Sequence, residues 1–100
     1  MRVIVGKASA SAKHEKYPEG EIHAVLMFIK SDNHVKAEKI ANHEMNARNW
    51  GEIKMSRIGT LKPEEFNSKD EYIKDAFLVA MERGFGAVIY GTAEKEPSKH

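Results

Sequence analysis

The sequence predicts an α+β domain: a two-layer sandwich in which a four-stranded sheet carries two helices mainly on one face, in the order β-β-α-β-α-β. Three observations lead there. Short β-branched or apolar runs at 2–8, 21–30, 52–61 and 86–91 lie between turn residues, as strands do. Two stretches, 34–49 and 68–83, repeat apolar residues at helical spacing. The 100 residues, 41% apolar and 31% charged, have the size and balance of one globular domain. The domain is expected to span residues 1–100, with the polar segment 92–100 a frayed tail.

The elements follow in order. RVIVGKA at 2–8 is the first strand, and SASAKHEKYPEG at 9–20, with Pro18 and Gly20, is a long connection. In the second strand, EIHAVLMFIK, every position from Ala24 to Ile29 is apolar. Ser31, Asp32 or Asn33 can cap the first helix by accepting from an orphan N–H. Ala37, Ile40, Ala41, Met45 and Ala47 share its apolar face, and Gly51 is expected to end it in the left-handed region. In the third strand Ile53 and Met55 share a face, whereas Ile58 is out of phase, so a bulge is expected between them. Ser68 and Glu71 spell a capping box for the second helix, whose apolar face is Ile73, Ala76, Phe77, Ala80 and Met81. Asp70 and Glu71 at its start and Arg83 at its end suit the helix dipole. Gly84 stops it, Phe85 is expected to fold back on its last turn, and the fourth strand follows.

Composition narrows the function. Cysteine is absent, which removes disulfides, thiolate metal sites and cysteine nucleophiles. A net charge of +1 does not call for nucleic acid or an anionic membrane as partner. No apolar run approaches the roughly 20 residues of a membrane span, and the N-terminal apolar run is too short for a signal peptide, so a cytoplasmic setting is expected. His43-Glu44 lacks the second histidine of a zinc protease, since Ala47 stands four residues on. His14, His23, His34 and His43 are irregularly spaced, so no metal site is expected. Ser9, Ser11 and His14 lack a strained elbow for nucleophilic catalysis. Gly6-Lys7 lacks the upstream glycine of a phosphate loop, and Gly84-Phe85-Gly86 lies after a helix rather than after a strand. No cofactor is implied, and the expectation is a protein that is not an enzyme.

Residues 83–90, RGFGAVIY, resemble the third-strand octapeptide of RNA-recognition motifs, departing from it at Ala87, where the family has a base-stacking aromatic. The resemblance covers that octapeptide alone. It implies a single-stranded nucleic-acid binder in which Phe85 and Tyr90 stack on bases. The context differs, because a capped helix runs directly into Arg83-Gly84 and Gly84 is explained as its stop.

The strands carry the strongest functional hint. Ala24, Leu26 and Phe28 point to one face; Val25, Met27 and Ile29 point to the other. Strands that are apolar on both sides belong to sheets covered on both sides. If two right-handed crossovers put both helices on one face, Val25, Met27, Ile29, Val88 and Tyr90 are left as a partner-binding surface. The cover is then another protein chain, a second copy in a homodimer included. The 9–20 loop or a splitting of the helices between the faces are the other ways to cover it. Separately, Glu44, Arg48 and Trp50 could form a polar pocket at the end of the first helix. The function read from these features is a small non-enzymatic interaction module, such as an inhibitor, immunity or accessory factor of bacterial or phage type. The alternatives are the nucleic-acid binder, and a small enzyme or ligand-binding dimer built on the Glu44, Arg48 and Trp50 pocket.

Overall fold

The computed structural model describes the chain through residue 93. It contains β1 (Arg2–Ala10), β2 (Ile22–Ile29), α1 (His34–Ala47), β3 (Trp50–Thr60), a 3-10 turn (Pro63–Glu65), α2 (Glu71–Arg83) and β4 (Phe85–Ala93). The strands form one antiparallel sheet in the order β3-β1-β2-β4. The α+β class, the four strands, the two helices and their order are those expected. Of the polar tail, residues 92 and 93 continue β4, and 94–100 lie outside the described residues.

The helices do not share a face. Ala37, Ala41 and Met45 of α1 pack on Ile4, Val25, Met27, Ile29 and Phe85, which all point to one side of the sheet. Ala76, Phe77 and Ala80 of α2 pack on Phe28, with Val3, Leu26 and Val88 beside it, on the opposite side. The expectation of helices mainly on one face is corrected for a topological reason. β2 and β3 both run antiparallel to β1 and so are parallel to each other, and α1 is a true crossover between them. β3 and β4 are antiparallel and lie on opposite edges, so the handedness rule for parallel crossovers does not govern α2. α2 is free to take the second face and buries apolar area there. Each aliphatic side chain enclosed this way contributes about 1.5–3 kcal/mol.

Phe66, from the connection after β3, stacks on Phe77 at 3.9 Å between ring centroids, and Phe28 meets both rings edge-on. This cluster covers the β2–β4 half of the second face. The β1–β3 half stays open there, with Val5, Lys7, Lys54 and Arg57 all exposed.

The element ends refine three expectations. Asn33 caps α1 by accepting from the Lys36 amide at 2.7 Å, one of the three candidates. At its other end Asn49, not Gly51, takes the left-handed conformation (φ 67°), because β3 already begins at Trp50. Asp70, not Ser68, caps α2, its carboxylate accepting from the Tyr72 and Ile73 amides, while the Ser68 hydroxyl accepts from the Asp70 amide. Gly84 ends α2 with φ 96° as expected. The expected bulge falls at Ser56, where the β1–β3 register slips between Val5 and Gly6.

Candidate functional site

The two ends of the sheet are unlike, and β4 is the end with a site. Among the described residues it pairs with β2 on one side and with no strand on the other. Its sequence, FGAVIYGTA, contains no charge and no proline, the two usual means of blocking an edge. A groove of about 780 Å³ follows its free side, lined by every residue from Phe85 to Gly91.

The groove has two walls. On the α1 face stand Met45, Arg48 and Trp50, with Lys16 and Tyr17 from the loop between β1 and β2. On the α2 face stand Asp70, Tyr72, Asp75, Ala76 and Val79. The second wall follows from helical spacing, since residues 72, 75, 76 and 79 form a stripe beside the core stripe of α2. Tyr72 is 77% exposed and Val79 43% exposed, so this stripe overhangs the edge of the sheet. What holds α2 so close is Gly86: a Cβ there would run into the Ala76 carbonyl.

The first wall is braced by an aromatic cluster. Trp50 is buried against His14 at 4.5 Å and His23 at 5.8 Å between ring centroids. Tyr17 lies over His23 at 4.0 Å. His23 is fully enclosed, and its Nδ1–H donates to the Tyr90 carbonyl at 2.6 Å. A carbonyl only accepts, so Nδ1 carries the proton. The partner of this bond explains its use. Between Val25 and His23 the β2–β4 register slips, and Tyr90 falls in the irregular stretch, where its carbonyl turns to the imidazole. His23 Nε2 faces the Glu21 carboxylate at 3.4 Å and makes no hydrogen bond. Arg48 donates from Nη1 to both the carboxylate and the carbonyl of Glu44, each at 2.8 Å, and its guanidinium lies 5.0 Å from the Phe85 ring centroid.

The expected site residues are thus divided. Val25, Met27 and Ile29 are at most 1% exposed beneath α1 and are closed to any partner. That part of the partner surface is corrected: α1 of the same chain provides the cover. Val88 and Tyr90 do face the groove, Tyr90 with 44% of its surface open. Arg48 and Trp50 also line it, whereas Glu44 acts from behind by tethering Arg48. Phe85 packs in the α1-side core rather than on the last turn of α2, and with Tyr90 on the other side of the strand the two rings do not form a common stacking surface. The residues missed by sequence reasoning are Lys16, Tyr17, Tyr72, Asp75 and Val79. Tyr72 and Val79 did carry a signal, as large apolar side chains just off the core stripe of α2.

Among the described residues, no group of three or more histidine, aspartate or glutamate side chains is placed to hold a metal ion, and no helix is long and apolar enough to cross a membrane. The sequence matches no protein-family model, no curated protein and no solved structure.

Proposed function

We propose that this chain is a non-enzymatic interaction module that receives an extended segment of another protein along the free edge of β4. One observation carries the reading: the groove follows the strand residue by residue from 85 to 91 and is walled by structure from both faces. A slot of that form suits strand addition, in which main-chain hydrogen bonds supply affinity and alternate side chains supply specificity. It offers Tyr17, Tyr72 and Tyr90, of a residue type enriched at binding surfaces. By occupying a segment of a larger target, such a module would work in the manner of an inhibitor, immunity or accessory factor.

The test compares variants of the two edges. Tyr90→Lys places a charge on β4, and Lys54→Glu alters β3. A protein captured from the cells that make this chain, retained by wild type and Lys54→Glu but lost with Tyr90→Lys, supports the reading. Equal capture by all three contradicts it.

A further inference from the structure

Resting on that reading, we infer that the groove takes a single extended peptide strand, basic or apolar on the side facing α2 and acidic or apolar on the side facing α1, rather than a second copy of this domain. Two features of the walls lead to this.

The first is steric. Two copies joined edge to edge through β4 are related by a two-fold axis normal to the sheet, so the α2 helices fall on the same face. Paired strands lie about 4.8 Å apart, whereas packed helices need about 8–10 Å between axes. In this chain α2 packs chiefly on β4, with its backbone against Gly86, and its 72-75-79 stripe already reaches past the edge. The α2 of a second copy would need the same space. A lone strand brings no helix with it.

The second is charge. The α2 wall carries Asp70 and Asp75, and the α1 wall carries Lys16 and Arg48. Arg48 is shared with Glu44, Lys16 stands 5.2 Å from the Tyr17 ring centroid, and Asp70 is the cap of α2. The same two-fold axis would set aspartate against aspartate and cation against cation, which disfavours that pairing. A strand presents successive side chains to opposite faces. One whose alternate positions are acidic and basic meets both walls with opposite charge.

The experiment uses two pools of labelled heptapeptides and the full chain. One pool places Glu, Val or Thr at alternate positions and Lys, Val or Thr at those between; the other has the same composition with the acidic and basic residues in separate blocks. Binding is followed by fluorescence polarisation, and the chain alone by sedimentation velocity. We expect a monomer that binds the alternating pool about tenfold more tightly than the blocked one, the gain that two or three matched charge pairs give. Asp75→Lys should erase that preference and Tyr90→Lys should abolish binding. Equal binding of both pools, lost with Tyr90→Lys, overturns the charge pattern and leaves strand addition standing. Self-association abolished by Tyr90→Lys makes the occupant a second copy, which also overturns this inference alone. A monomer that binds neither pool overturns strand addition with it.

Discussion

β3 and β4 both end the same sheet, yet only one of them is defended. β3 carries Glu52, Lys54 and Arg57, and its pairing with β1 slips twice, between Val5 and Gly6 and between Ala8 and Ala10. Charges and bulges are the devices by which natural sheets keep an edge from recruiting another strand. β4 carries no charged residue from Phe85 to Gly91, and its pairing with β2 is regular from Phe85 to Ile89 and slips only beyond it; it is walled into a groove by Arg48 and Trp50 on one face and α2 on the other. An undefended edge is an aggregation hazard unless access to it is controlled. The overhanging walls of β4 supply that control, admitting something as thin as one strand.

The largest effect tests what holds the groove in shape. Gly86→Ala forces α2 away from β4 and should destabilise the chain by about 1–3 kcal/mol. Gly59→Ala on β3, where an added Cβ meets nothing, should stay within about 0.5 kcal/mol of wild type. Urea unfolding of the two variants makes the comparison, and equal costs would mean that α2 does not rest on β4 as described.

Comparable in size is His23→Ala, which leaves the Tyr90 carbonyl without its 2.6 Å donor and removes the ring beneath Tyr17. The expected cost is about 1–3 kcal/mol, from the lost hydrogen bond and the removal of a fully enclosed ring. Amide exchange should rise around residues 89–91 first, because the bond closes the irregular end of the β2–β4 ladder. A variant as stable as wild type would show that the imidazole is not what secures that end.

The smallest effects come from one substitution on each edge strand. Lys7 and Lys54 lie directly opposite each other on the open half of the second face. Lys54→Glu replaces repulsion by attraction and should raise the urea midpoint by an amount equivalent to about 0.2–1 kcal/mol. Tyr90→Lys should change stability by less than about 0.5 kcal/mol, because the side chain is half open and its carbonyl is untouched. Loss of folding in Tyr90→Lys would make Tyr90 a structural rather than a binding residue.

Much of the fold was legible in the sequence, because it rests on local signals. The two-sided apolar run from Ala24 to Ile29 marked a sheet covered on both faces, and Gly84 and Asn33 marked helix ends. The helix faces could not be read, since that required knowing that β3 and β4 are antiparallel and on opposite edges, a long-range fact. Reading two parallel crossovers in their place put Val25, Met27 and Ile29 at a surface, where α1 in fact covers them. The candidate site was legible only in pieces. Arg48, Trp50, Val88 and Tyr90 were singled out on separate grounds, and the topology brings them to one groove. The 9–20 loop was one of the covers considered for that face, and its Tyr17 does pack against the α1-side core, but nothing in the loop's polar sequence marked Tyr17 as part of the groove wall.

The most direct measurement is hydrogen–deuterium exchange of the chain with and without the tightest-binding alternating peptide. We expect new protection over residues 85–91 of β4, with residues 52–58 of β3 unchanged. Protection over β3, or on the open face around Lys7, Lys54 and Arg57 with β4 still exchanging freely, would contradict it.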